Sequence, residues 1–186
     1  MTADDQFGAD YFQRLQSASG HWWVRGMQLV GSALLGEEAS NLDVLDAGCG
    51  SGALLPWLGQ LAHPGEVVAV DVARAAVERV HALALPVDVA LASVTDLPLR
   101  DASFDLVVSM DVLQHLTARG AQGAVSEMAR VLKPGGRALV RTNAAFGRGH
   151  VAERDDWRLY RVEMLGADLR NAGLEVRALT PVNAVQ

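Results

Sequence analysis

The 186-residue chain has one cysteine, Cys49, one lysine, Lys133, and few aromatic side chains, 5% of the total. A single thiol excludes a disulfide scaffold and any zinc site built from cysteines of this chain. One lysine among sixteen basic residues, with a formal net charge of −6, argues against a general polyanion binder, because such affinity comes largely from clustered cations. Residues 1–136 carry a net −8 and residues 137–186 a net +2. The arginine preference reads as a compositional habit rather than a binding surface. No apolar run approaches the ~18–20 residues of a membrane span. The start, Met1-Thr2-Ala3-Asp4-Asp5, is acidic and does not read as a signal peptide. The expectation is a soluble cytoplasmic protein.

With half of its residues hydrophobic, the chain can build a core and is not intrinsically disordered. Neither a repeat nor a low-complexity linker divides it, so a single domain over 1–186 is expected. Gly8 to Leu35 has apolar residues at helical steps, with Gly20 and Gly36 as expected helix ends. From residue 42 short apolar runs alternate with helical stretches. Expected strands are Asp43–Ala47, Val67–Val72, Val87–Ala92, Phe104–Met110, Arg137–Thr142 and Leu174–Leu179. Expected helices are Gly52–Leu61, Arg74–Leu85, Gly120–Leu132 and Trp157–Asn171. Near-continuous apolar strands alternating with helices predict an α/β protein, a parallel sheet covered on both faces.

Val44-Leu45-Asp46-Ala47-Gly48-Cys49-Gly50-Ser51-Gly52 is a buried strand running into a glycine-rich turn and then a helix. Glycines there allow a tight turn and close approach of a ligand. The second strand ends in Asp71, a carboxylate positioned for ribose hydroxyls. Gly48, Gly50 and Ala53 also satisfy the dinucleotide fingerprint, so an NAD-binding oxidoreductase competes at this point. The charge decides against it. Pyrophosphate wants an electropositive helix start, whereas Asp46 beside the loop suits an ammonium or sulfonium centre.

The run from Asp46 to Gly52 resembles motif I of the class I S-adenosylmethionine (SAM) methyltransferases. The likeness continues in order through Asp71, Thr95–Leu99, Ser103–Val108, Asp111–Leu116 and Arg130–Gly136, covering roughly residues 42–142. The resemblance implies a three-layer Rossmann-like fold with strand order 3-2-1-4-5-7-6, and methyl transfer to an acceptor, expected to be a small molecule. It implies SAM as cofactor, with Gly48, Cys49, Gly50 and Gly52 around its methionine half and Asp46 orienting its amino group. Asp71 would hold the ribose, Val72 would lie on the adenine, and Ser93 and Val94 would meet the adenine edge. Ser93 stands where the family usually has Asp. Met110 would meet the ligand through its backbone. Gly52 has an alternative role in close helix–sheet packing alone, and Cys49 reads as an apolar filler. His115 either lines the acceptor pocket as a general base or caps local backbone. A SAM-binding protein without activity is the remaining rival.

Residues 1–41 are expected to form a helical lid, with Tyr11, His21, Trp22 and Arg25 toward the substrate, or else the core face of an ordinary helix. Arg158, Tyr160 and Arg161 loosely resemble an acceptor-side segment of related enzymes. Residues 143–186 are expected to supply a helix and a sixth strand. Too little chain follows Leu179 for a seventh strand, so this end reads as missing that strand or as truncated. The open sheet edge would then invite a second copy of the chain. No metal site and no nucleic-acid partner are expected.

Overall fold

The computed structural model describes residues 9–36, 40–63, 65–144 and 159–180, with backbone alone described over 9–21. The element order is α1 (Ala9–Leu35), β1 (Val44–Ala47), α2 (Leu55–Ala62), β2 (Val67–Asp71), α3 (Arg74–Ala82), β3 (Asp88–Leu91), β4 (Phe104–Met110), α4 (Ala118–Val131), β5 (Leu132–Arg141) and α5 (Val162–Asn171). The strands form one sheet in the order β3-β2-β1-β4-β5. All four pairings are parallel.

Alternation along the central strands divides the interior into two cores. Leu45, Ala47, Val70 and Val107 face a layer built from α4 and α5, including Val125, Met128 and Leu165. Val44, Ala69, Leu106 and Val108 face α1, α2 and α3 through Met27, Leu55, Trp57 and Val80. This is the three-layer arrangement that the strand–helix alternation implies. No described helix is long and apolar enough to cross a membrane.

Three local expectations are corrected. Helix α1 runs through Gly20 without a break and stops at Gly36, whose φ is +80°. An interior glycine costs a helix ~1 kcal/mol but does not end it. Helix α2 begins at Leu55 rather than Gly52, because Gly52 has φ +74° and Pro56 opens the helix. The segment Leu174–Leu179 is not a strand. In the order the resemblance implies, strand six bonds only to strand seven, and no described residue supplies that partner. Among the described residues, therefore, β5 is an edge strand.

Two contacts tie α1 to β5. Arg137 donates to the Leu35 carbonyl at 2.5 Å, closing the helix end. Gly31 lets the helix sit close, since a Cβ there would meet Trp57 and Leu139. The half of α1 from Trp23 to Leu35 is thus a cover laid on the sheet.

Candidate functional site

Parallel sheets bind ligands beyond the carboxyl ends of their strands, and the chemistry-bearing residues gather there. After β1 the chain turns through Gly48 (φ +96°), Gly50 (+50°) and Gly52 (+74°). The Gly48 and Cys49 N–H groups both donate to the Val70 carbonyl, at 2.9 and 3.0 Å. A Cβ on Gly48 would run into Val112, so the loop lies directly against the segment that follows β4. Gly52 is crowded by Leu55, Val80 and Leu83, which is its helix-packing role.

Asp71 ends β2 and holds the loop in shape. Its carboxylate accepts the Gly50 N–H at 2.8 Å and the Ala73 N–H at 2.9 Å. Burial raises its pKa, while the amides of Ala73, Gly50 and Val72 pull it down. Asp46, one strand away, is 2% exposed. Burial, and then the nearby Asp71 charge, push its pKa up to about 7. Burial and these two acids also raise the Cys49 thiol, so Cys49 is no thiolate nucleophile. Beside this acid pair Val72 leaves an apolar side chain 48% exposed at the end of β2.

Ser93 turns its hydroxyl onto its own turn, 2.8 Å from the Thr95 hydroxyl. Val94 is buried in the core, which leaves only its backbone for a ligand. The following loop is clamped from α4, a role for Arg130 that sequence reasoning did not assign. Arg130 bonds the carbonyls of Leu97 and Leu99 and the carboxylates of Asp101 and Glu127. Glu127 in turn accepts the Leu97 N–H at 2.8 Å.

Beyond β4 and β5 a second cluster forms. Met110 is paired with Arg141 in the sheet register. Asp111 has φ +59° and donates its N–H to the Arg141 carbonyl at 2.9 Å. Its carboxylate forms an ion pair with the Arg141 guanidinium. That guanidinium lies over the Trp23 ring, 5.4 Å from its centre. His115 ends a short 3-10 turn, Leu113–His115. Burial raises the Asp111 pKa, while Arg141 and the nearby His115 pull it down. Trp23 therefore reaches the site, whereas Trp22 is 67% exposed and Arg25 faces solvent. The four-residue spacing of Trp23, Met27 and Gly31 is the signal that separates the two tryptophans. The side chains of Tyr11 and His21, and all of Arg158, lie outside the described residues. Tyr160 is buried in the core and bonds through its N–H to the Asn143 carbonyl, and Arg161 precedes α5.

The donor set fits SAM. A buried acid lies by the glycine loop, an amide-held carboxylate ends β2, and an exposed valine follows it. Comparison with known proteins agrees. Residues 45–140, just over half the chain, match the family profile described as a methyltransferase domain. A probable S-adenosylmethionine-dependent methyltransferase of Mycolicibacterium smegmatis is 37% identical over 125 residues, 67% of this chain and 47% of that protein. A probable tRNA methyltransferase 9B of Bos taurus is 30% identical over 149 residues, 80% of this chain and 30% of that protein. The chain thus spans about half or less of the length of these relatives. Among solved structures, the Burkholderia thailandensis 1,6-didemethyltoxoflavin-N1-methyltransferase, bound to 1,6-didemethyltoxoflavin and S-adenosylhomocysteine, shares the fold with a TM-score of 0.65. It is 22% identical, over 92% of this chain and 80% of its own. On motif order, sheet topology and profile match together, the chain belongs to the class I SAM-dependent methyltransferase family.

Proposed function

We propose that this protein transfers a methyl group from SAM to a small-molecule acceptor. The observation that carries the reading is Asp46, a buried acid beside the glycine loop, which favours a cationic ligand centre and disfavours a pyrophosphate. When bound, SAM supplies a methyl group already activated on its sulfonium. The chain's work is then to bind, align and exclude water. Gly48 and Gly50 admit the methionine half by backbone approach, and Asp46 faces its ammonium. Asp71 accepts from the ribose hydroxyls on lone pairs that Gly50 and Ala73 leave open. Val72 gives the adenine an apolar face, and the Val94 backbone meets its edge. Met110 borders the ligand through its backbone at the end of β4.

Holding the acceptor in line with the S–CH3 bond can supply ~7–11 kcal/mol of the barrier. His115, at the end of the turn that follows Asp111, is the candidate base for a hydroxyl acceptor. The net charge of −6 supports a small acceptor over a nucleic acid. The test is transfer of labelled methyl from SAM, offered separately to a small-metabolite extract and to total tRNA. Label in the small-molecule fraction is expected. Label confined to tRNA overturns the acceptor assignment, and failure to bind S-adenosylhomocysteine while binding NAD overturns the whole reading.

A further inference from the structure

We infer that Arg141 is a carboxylate-recognition residue of the ligand site, the carboxylate belonging either to the acceptor or to the amino-acid end of SAM. The inference rests on the proposed SAM site and adds a residue to it. Arg141 closes β5, level in register with Met110, and so stands at the ligand end of the sheet. Asp111, its ion-pair partner, immediately precedes the Val112 that lies against Gly48. The turn after β4 therefore contacts both the guanidinium and the glycine loop.

Its bonding to the described residues uses only one arm of the guanidinium fork. One terminal nitrogen is committed to Asp111. Its guanidinium carbon lies over the Trp23 ring. Among the described residues, no side chain or carbonyl accepts from Nε or the second terminal nitrogen. Those two donors form one edge of the guanidinium, the edge that takes a carboxylate in a bidentate grip.

Arg130 shows what a purely structural arginine of this protein looks like. At a similar side-chain exposure, 30% against 23%, it spends all three nitrogens on Glu127, Asp101, Leu97 and Leu99. Arg137 commits one terminal nitrogen to the Leu35 carbonyl at the end of α1, and it stands opposite Leu106, further back along the strands. Arg141 is the arginine with an open bidentate edge at the ligand end.

Two titrations test this on wild type, Arg141→Met and Arg141→Lys, each first shown folded by thermal melting. Calorimetry compares S-adenosylhomocysteine with 5′-methylthioadenosine, which has the same nucleoside but no carboxylate. Separately, benzoate and benzyl alcohol are titrated into the protein saturated with S-adenosylhomocysteine, read from the Trp23 indole N–H signal. If the carboxylate is the cofactor's, Arg141→Met loses tenfold or more for S-adenosylhomocysteine and nothing for methylthioadenosine, and Arg141→Lys recovers part. If it is the acceptor's, cofactor affinity is unchanged, benzoate moves the wild-type signal where benzyl alcohol does not, and Arg141→Met abolishes the difference. Equal cofactor affinity together with equal responses to benzoate and benzyl alcohol in wild type and Arg141→Met overturns the inference. Loss of S-adenosylhomocysteine binding by the wild type would instead strike the proposed function.

Discussion

Asp46→Asn should separate two opposing pH dependences. The Asp46 carboxyl is buried and its pKa stands at about 7, against an ordinary 3.8, through burial first and Asp71 second. Unfolding returns the group to its ordinary value, so the folded apo protein holds this proton more tightly than the unfolded chain. The stability it contributes is full below about pH 4 and is lost as pH rises to about 7. A gap of about three pH units, at ~1.4 kcal/mol each, makes that loss ~4 kcal/mol. Against a total of ~5–15 kcal/mol this is large. Binding runs the other way. A ligand cation needs the carboxylate, so below about pH 7 binding must expel a proton, and affinity should fall up to ~tenfold per pH unit. Urea unfolding of the apo protein from about pH 5 to 8, with S-adenosylhomocysteine calorimetry alongside, reads both trends. Asp46→Asn should flatten the stability slope, gain stability over wild type above about pH 7, and bind the ligand weakly at every pH. Identical slopes in mutant and wild type would refute the reasoning.

Asp71→Asn replaces one of two acceptors by a donor facing the amides of Gly50 and Ala73, so it should cost ~1–3 kcal/mol of ligand affinity. Hydrogen exchange at the Gly50 amide should also quicken, and unchanged exchange would contradict the assigned bond. Gly48→Ala puts a side chain into Val112 at φ +96°, and should destabilise the protein by ~2–4 kcal/mol in denaturant titration. Arg130→Met unclamps the 95–101 loop from a distance. Calorimetry should show weaker nucleoside binding, methylthioadenosine included, with the methionine half unaffected; full affinity in the folded variant would reduce Arg130 to a surface contact.

Much of the fold and site is legible in residue order, for identifiable reasons. Val67–Val70 ending in Asp71 is a buried strand with a polar terminus, and only one register makes that pattern useful. The glycine loop stands out because Gly48, Gly50 and Gly52 all take positive φ, which neither a regular helix nor a regular strand requires. Boundaries are less legible. The turn Lys133-Pro134-Gly135-Gly136 reads as a break, yet β5 begins at Leu132, with a register shift opposite Phe104–Leu106. Leu174–Leu179 has a strand's composition and no described partner, and a ladder is a property of two segments. Nor can local pattern show the Trp23–Arg141–Asp111 cluster, since it joins residues from distant parts of the chain. The phase of α1 and the left-handed turn at Asp111 create it, and both depend on tertiary packing.

The bonds from Asp71 to Gly50 and Ala73 carry a kinetic consequence. They give the loop its receptive shape before anything arrives, so encounter needs no prior opening or folding of that segment. Association should be a single-phase bimolecular process in the ordinary range of ~10^5–10^7 M^-1 s^-1, with differences in affinity among nucleoside ligands expressed as residence time. With the ribose role proposed for Asp71, the carboxylate that shapes the resting loop would also receive the ligand, coupling the speed of capture to the integrity of a single turn.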